Sequence, residues 1–251
     1  MKTIKTIVIA VTLTTFGVAN IMAQVPFAGN GTQGYSGDGG AATSAQLSYV
    51  TGISSDATGN IFISDAGNND VRMVNTTNVI STYAGNQAAG FTGDGGAATS
   101  ASMQSNGFIA NDGAGNLYLS DAAGTRIRKV TASTGVITTI AGTGTAGNTG
   151  NGGAATLAQI TANSLAVDAS GNIYFTDAAN SIVRQINTSG TISVYAGNGT
   201  AGYSGDGGAA TSAQLSLSSY YSLGNALTVD VSGNLYISDA GNSVVRKVNT
   251  S

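Results

Sequence analysis

Residues 56–65 read DATGNIFISD, and three further stretches of the chain repeat this pattern. They are DGAGNLYLSD at 112–121, DASGNIYFTD at 168–177 and DVSGNLYISD at 230–239. In each stretch an Asp and a Gly-Asn pair precede a short run of β-branched, aromatic and small residues, which is typical of a hairpin turn followed by a strand. The chain is therefore a series of repeated β units, about 56 residues long.

The rest of each unit repeats as well. An Ala-Gly pair opens it, a glycine-rich segment (SGDGG, TGDGG or TGNGG) and an Ala-Ala-Thr step follow, and an Arg stands seven residues after the closing Asp. Four short β-forming runs per unit predict strands near 52–55, 61–64, 71–74 and 79–83 in the first repeat. The predicted fold class is all-β, a β-propeller of four-stranded blades. The repeats cover about 28–83, 84–140, 141–195 and 196–251.

The beginning of the chain has a different character. Two lysines lie within residues 1–5, residues 6–19 are mostly apolar, and Ile21-Met22-Ala23 provides small residues before Gln24. This layout predicts a signal peptide over 1–23, so the expected location is secreted, periplasmic or on the bacterial cell surface. The remainder, 24–251, is the predicted propeller domain.

Composition narrows the functional classes. The predicted mature chain has seven basic and twelve acidic residues, so it lacks the basic footprint of a nucleic-acid-binding protein. No other stretch is long and apolar enough to predict a membrane span. The chain has no His and no Cys, which removes the commonest general base, the commonest zinc ligand and thiolate chemistry. These absences favour a non-catalytic role, and we assign no catalytic, cofactor-binding or metal-ligating residue.

The motif D-x-x-G-N-[LI]-[YF]-x-[ST]-D, followed by an Arg seven residues on and an apolar run ending in Ala-Gly, resembles the NHL repeat. The resemblance is to its bacterial secreted form with GDGG-type connectors, and it covers residues 28–251. It implies a propeller whose inner strands line a central channel. It does not imply one function, because such propellers serve as protein-binding, RNA-binding and catalytic scaffolds. The lyase branches of this family use histidines, which are absent here.

The end of each second strand carries an Asp, with the Arg of the next strand seven residues later. We interpret each pair as structural: the Asp closes a turn, and the Arg pairs with it or with backbone carbonyls. The alternative is a ring of ion pairs around a polar site, but a single ligand would break the repetition. These residues are Asp65, Asp121, Asp177 and Asp239, with Arg72, Arg128, Arg184 and Arg246.

Two other sets of Asp residues are also interpreted as structural. Asp56, Asp112, Asp168 and Asp230 begin hairpin turns. In the glycine-rich connectors, Asp38 and its equivalents are expected to cap the short Ala-Ala-Thr-Ser-Ala turn. Calcium is the functional alternative at the connectors, but each supplies one carboxylate and the third has Asn151 instead.

The best candidate for a specific contact is an insertion. The fourth repeat has extra residues within 215–225, which read LSLSSYYSLGN and precede its first strand. Tyr220 and Tyr221 would bring aromatic surface with hydroxyl groups to a recognition loop. The alternative is a tolerated surface insertion.

The two ends of the repeat array are complementary. Residues 25–30 (VPFAGN) align with the end of a fourth strand, as in STYAGN at 81–86, whereas the last repeat stops after three strands. A strand from residues 24–29 could therefore complete the last blade and close a four-bladed ring. The alternative is that the chain is part of a longer propeller.

Three functions remain open at this stage. The first is a non-catalytic scaffold that binds a protein, peptide or glycan. The second is a structural or adhesive envelope module. The third is a metal-dependent propeller lactonase or lyase, which a tightly bound metal in the purified protein would favour.

Overall fold

A computed structural model of the chain describes residues 25–104, 107–121, 123–217 and 226–250. It contains fifteen strands in four antiparallel sheets, in which strands neighbouring in sequence are hydrogen-bonded. Three sheets have four strands and the last has three. The strands are β1 (Val50–Ser55), β2 (Ile61–Asp65), β3 (Asp70–Val74), β4 (Ile80–Ala84), β5 (Ile109–Asn111), β6 (Leu117–Asp121), β7 (Arg126–Thr131), β8 (Val136–Ala141), β9 (Leu165–Val167), β10 (Ile173–Asp177), β11 (Ile182–Ile186), β12 (Ile192–Ala196), β13 (Leu227–Val229), β14 (Leu235–Asp239) and β15 (Val244–Val248).

The four sheets are the blades of a β-propeller, so the predicted fold class is confirmed. The first strand of each blade is the innermost one: β1 packs against β5, β5 against β9, and β9 against β13. Short 3₁₀ turns such as Ala42–Ser44 and Ala66–Asn68 connect the strands. Among the described residues, no helix is both long and apolar enough to cross a membrane.

The hydrophobic core lies between neighbouring blades. A blade buries its side chains by stacking on the next sheet, since alternate residues of a strand point to opposite faces. One cluster joins Phe62 and Val71 of the first blade to Ile109 of the second, and equivalent clusters fill the other two junctions. Backbones also approach closely there, because a Cβ on Gly52 of β1 would overlap the carbonyl oxygen of Gly107 beside β5.

A β-bulge recurs in each four-stranded blade. In the first blade Val71 is opposite Ala84 and Arg72 is opposite Thr82, so Tyr83 is the extra residue of β4. The same irregularity occurs in the second and third blades. A bulge re-aims a side chain, and here the ring of Tyr83 lies edge-on against Phe62, with centroids 4.8 Å apart.

In each four-stranded blade the glycine-rich connector runs along the outer edge of the fourth strand. In the first blade the Gly39 amide donates to the carbonyl of Ile80, and Ala41 is opposite Val79. The connector therefore covers an edge whose backbone groups would otherwise be unpaired.

The prediction that residues 24–29 complete the last blade of the same chain is wrong for the described residues. The fourth sheet is β13–β14–β15, with no fourth strand. The amides of Gly29 and Asn30 donate to the carbonyls of Ala42 and Ala45 in the first connector, as the residues after β8 and β12 do in theirs. The described parts of β1 and β13 also lack the packing that joins the other neighbouring inner strands.

Replacement of Gly52 by Ala tests the close approach of the first two blades. The new methyl group has to displace the backbone at Gly107, so we expect a loss of about 1–3 kcal/mol in the free energy of unfolding, as for other overpacked sites. Urea denaturation followed by circular dichroism measures this loss.

Gly113→Ala is the matched control, because a Cβ at Gly113 meets nothing within 4 Å. We expect it to change the free energy of unfolding by no more than about 0.5 kcal/mol. Equal losses in both variants would contradict the close packing of β1 and β5.

Candidate functional site

Each blade has a buried arginine on its third strand, paired with the aspartate that ends the second strand. These arginines are fully buried in the first three blades and nearly so in the fourth, and the four aspartates are fully buried. A guanidinium group brings five donors in a fixed plane, so it can satisfy several acceptors at once. The closest nitrogen–oxygen distances are 3.6 Å for Arg72–Asp65, 3.0 Å for Arg128–Asp121, 3.8 Å for Arg184–Asp177 and 3.5 Å for Arg246–Asp239.

The same aspartates hold the segment that leads into the inner strand. Asp65 accepts a hydrogen bond of 2.6 Å from the amide of Ser48, which lies just before β1. Asp239 accepts one of 2.7 Å from the amide of Ser216, and Asp121 accepts one of 2.7 Å from the amide of Gln104. Each of these carboxylates therefore fixes the path into its inner strand, a function that the sequence pattern did not indicate.

The connector aspartates complete the arginine network. Asp38 pairs with Arg72, and its other oxygen accepts hydrogen bonds from the amide and hydroxyl of Thr82, at 3.1 and 2.8 Å. Arg72 also donates to the carbonyls of Ser36 and Gln46. The connector is thus fastened to strands β3 and β4.

The expectation that Asp38 caps the short turn after it is wrong. The turn Ala42–Ser44 begins after Ala41 and has no side-chain cap. The carboxylate points to Arg72 instead, because a buried guanidinium is a stronger partner for it than exposed backbone amides. In the third blade Asn151 takes the same place, and its side-chain oxygen accepts a hydrogen bond of 3.1 Å from Nε of Arg184.

Steric fit explains why the connector sequence repeats so closely. Gly37 has φ +94°, and a Cβ on it would lie 2.7 Å from Cα of Ala45. The equivalent glycines of the other connectors face an equivalent alanine in the same way. Only a Gly that faces an Ala fits such a close contact. The shape of the loop therefore explains why both residues recur in every connector.

The hairpin aspartates form the predicted turns. Oδ1 of Asp56 accepts hydrogen bonds from the amides of Thr58 and Asn60, and Oδ2 accepts one from the Asn60 side chain. Gly59 has φ +94°. The structural interpretation of these residues is confirmed, since Asp112, Asp168 and Asp230 make equivalent hydrogen bonds.

One buried carboxyl group, that of Asp70, was not predicted from the sequence. Asp70, at the start of β3, is fully buried, and neither of its oxygens has a hydrogen-bond partner in the described part of the chain. Burial, and then the negative charge of Asp65 directly across the strand pair, raise the pKa of Asp70 to about 8. The repeat alignment does set Asp70 apart, because no other repeat has an acidic residue there: the equivalent residues are Arg126, Ile182 and Val244.

The candidate recognition residues Tyr220 and Tyr221 lie outside the described residues, as does most of the insertion at 215–225. Within the described ranges, no three acidic, His or Cys side chains gather as the ligands of a metal ion would.

An open groove of about 540 Å³ lies between the third and fourth blades. One wall is Tyr174, whose hydroxyl donates to Asp168 at 3.0 Å and accepts from Gln185 at 2.9 Å. The ring of Tyr195 lies edge-on to Tyr174, 4.8 Å between centroids, and the exposed Val231 also lines the groove. Aromatic rings beside a carboxylate and an amide suit the binding of a polar organic molecule.

Comparisons with known proteins support the fold and leave the function open. No protein-family model and no curated protein matches the chain. Solved structures do match. An auxiliary nutrient binding protein from Bacteroides ovatus ATCC 8483 is 17% identical with a TM-score of 0.59, covering 81% of this chain and 48% of that one.

Two structures from Bacteroides thetaiotaomicron VPI-5482 are similarly related. One is another auxiliary nutrient binding protein, with 17% identity and a TM-score of 0.57, covering 82% of this chain and 48% of its own. The other is a protein of unknown function, with 20% identity and a TM-score of 0.57, covering 79% and 46%. The chain thus spans about half the length of these structures, and the likeness establishes the β-propeller fold.

Replacement of Arg128 by Met tests the arginine network. Arg128 donates to Asp94, Asp121 and two backbone carbonyls. Its loss leaves the carboxylate of Asp121 buried without its counter-charge, so we expect the free energy of unfolding to fall by about 3–5 kcal/mol. Urea denaturation gives the value.

Arg246→Met is its matched control in the last blade. Arg246 is 11% exposed and its partner Asp206 is largely exposed, so water replaces more of the lost contacts and the loss is smaller. A loss at Arg128 no larger than that at Arg246 would refute the buried network.

Replacement of Asp70 by Asn tests the buried carboxyl group. Its folded-state pKa of about 8 lies above the ordinary 3.8, so the folded protein holds a proton that the unfolded chain releases. This group makes stability fall as pH rises from about 4 to about 8, by at most about 1.4 kcal/mol per pH unit. In Asp70→Asn we expect that decline to be missing. Thermal melts should therefore show the stability of the variant rising relative to that of the parent protein as the pH increases across this window.

Asp56→Asn serves as the comparison, because hydrogen bonds from Asn60 and Thr58 outweigh the effect of burial and lower the pKa of Asp56. Its stability difference from the parent should stay flat from pH 5 to 8. Parallel curves for Asp70→Asn and the parent protein would show that Asp70 titrates normally.

Proposed function

We propose that the chain is an exported, non-catalytic binding propeller of the NHL type, which holds a protein, peptide or glycan partner. The observation that carries this proposal is that the charged side chains of each repeat contact one another and the backbone of their own blade. Each repeat arginine is held by side-chain and carbonyl oxygens of its own blade, and Asp65, Asp121 and Asp239 also hold backbone amides. Side chains so engaged stabilise the scaffold and are not available to a substrate.

In this proposal, aromatic and neutral polar groups make the contact with the partner. The groove beside Tyr195 offers an aromatic ring and the amide of Gln185 at an open surface. The insertion with Tyr220 and Tyr221 adds a second aromatic element just before β13 in the sequence. Tyrosine supplies large contact area at a low entropy cost, and in this proposal the connector aspartates serve the fold rather than a calcium ion.

Two further observations support this proposal. Residues 1–23 have the layout of a signal peptide, which agrees with export to the periplasm or cell surface. Two of the similar structures belong to proteins named for nutrient binding, so the same fold accommodates a binding role.

Tyrosine fluorescence tests the proposal directly, because the chain has ten Tyr and no Trp. The purified protein is titrated with soluble oligosaccharides of starch, xylan and mannan, and with a casein peptide digest. We expect saturable quenching by one of these probes, weakened about tenfold or more in Tyr195→Ala or in the double variant Tyr220→Ala/Tyr221→Ala.

Tyr83→Ala is the matched control, because Tyr83 occupies the bulge of the first blade that Tyr195 occupies in the third. It should lose similar packing and leave the binding intact. Quenching by none of the probes, together with a stoichiometric divalent metal in elemental analysis and cleavage of a lactone substrate, would replace this proposal with the lactonase alternative.

A further inference from the structure

One arginine of the chain stands outside the repeat pattern. The chain has five arginines, and four of them are the repeat arginines described above. The fifth, Arg126, is the first residue of β7, where the other blades have Asp70, Ile182 and Val244. Because the same position accepts an acidic or an apolar residue elsewhere, the blade itself does not require a positive charge there.

The protein does not neutralise the guanidinium of Arg126. Each repeat arginine lies within 4 Å of at least one carboxylate, whereas no hydrogen bond or ion pair joins Arg126 to another described residue, and its Nε is buried without an acceptor. Asp121 is opposite Arg126 in the strand pair, but its carboxylate binds Arg128 and the amide of Gln104. Burial of an unpaired donor costs free energy, so the fold alone does not explain this side chain.

An aromatic ring holds the guanidinium in place. The ring belongs to Phe91, in the connector of the same blade, and its centroid is 3.8 Å from Cζ of Arg126 and 5.0 Å from Cζ of Arg128. In the first and last blades the equivalent rings, Tyr35 and Tyr203, lie beside the repeat arginine. The ring attracts the cation through its π face but brings no negative charge, so the terminal N–H groups of Arg126 keep their capacity to donate.

The next connector leaves space at the end of this side chain. Gly144, in the connector of the third blade, has φ +88°, and a Cβ on it would lie 2.5 Å from Nη2 and 2.9 Å from Nη1 of Arg126. The amide of Gly144 donates to the carbonyl of Thr125 at 3.3 Å, which ties this turn to the start of β7. Residues 143–146 are exposed. Both terminal nitrogens therefore border an exposed turn, where a ligand can approach from solvent.

We propose that Arg126 anchors a carboxylate-binding site at the junction of the second and third blades. Two terminal N–H groups of a guanidinium match the two oxygens of a carboxylate. Phe91 positions the cation, and Gly144 keeps its edge open. The site is separate from the groove beside Tyr195, so this inference goes beyond the proposed function, and either can fail without the other.

The charge of the chain limits the kind of ligand. The predicted mature chain has seven basic and twelve acidic residues, so a polyanion is repelled by most of the surface, whereas a single carboxylate meets Arg126 at short range. The ligand is therefore a small molecule or a chain end that carries one exposed carboxylate. A sugar acid and an acylated amino acid both present this group, and the test distinguishes the two sources.

Calorimetric titration of the purified protein at low salt provides the first test. The probes are monomeric galacturonate, its uncharged methyl ester and N-acetylglycine. We expect saturable binding of at least one of the two carboxylates, and galacturonate, if it is the one bound, should bind at least about tenfold more tightly than its ester. Binding of neither carboxylate, or equal binding of galacturonate and its ester, would overturn the proposal.

Arg126→Gln removes the proposed anchor and keeps a polar side chain. We expect the affinity for the bound carboxylate to fall at least about tenfold. Lys129→Gln is the matched control, because it removes a positive charge from the same strand, from a side chain that lies over Tyr118; its affinity should stay near that of the parent. A change in melting temperature without a change in affinity would assign Arg126 a structural role only and would refute the site.

Gly144→Ala tests the geometry without removing the charge. Its Cβ has to displace the end of the Arg126 side chain, so we expect the affinity to fall about fivefold or more. Gly152→Ala is the control, because Gly152 lies in the same connector with φ +85° and a Cβ there meets nothing within 4 Å. The two variants carry similar backbone strain, so equal affinities would contradict a ligand bound at the edge of Arg126.

Discussion

The buried guanidinium of each blade is the interaction on which the rest of the blade depends. A charge in this position is costly unless carboxylates and carbonyls surround it. Arg128 meets that condition through Asp94, Asp121 and the carbonyls of Thr92 and Ser102. The acceptors come from the connector and from the end of the second strand, so these parts of the blade keep their places relative to the third strand. In the first, second and fourth blades the inner strand is fixed in turn, because Asp65, Asp121 and Asp239 accept hydrogen bonds from the amides that precede it.

Packing between blades supplies the second constraint. The sheets hold few charges on their faces, and they approach closely enough for the backbones of Gly52 and Gly107 to meet. Such a junction buries apolar surface on both sides, which is the main favourable contribution to stability in a repeat protein. Among the described residues the first and the last blade each pack on one other blade, and Ile53 and Val245 are exposed there.

The sequence predicted the blades well because their signals are local. Each hairpin has its own Asp and Gly-Asn pair, and each strand has its own alternating run, so the predicted strands of the first repeat lie within one or two residues of β1 to β4. The contacts of Asp38 were mistaken because they are not local. Its partners Arg72 and Thr82 are 34 and 44 residues away, and only the folded connector brings them together. Asp70 was overlooked because a lone carboxyl looks ordinary until its burial is known.

The arginine network also has a consequence for how such a chain can change in length. Every acceptor of Arg72 lies between residues 36 and 65, within its own repeat, and the other three arginines follow the same rule. Each repeat therefore contains all the partners of its own buried arginine. Duplication or loss of a whole repeat leaves no buried charge without its partner, whereas a cut inside a repeat separates an arginine from its carboxylates. The array can grow or shrink in units of one blade, and the near-identical connectors of the first and last repeats are compatible with growth of this kind.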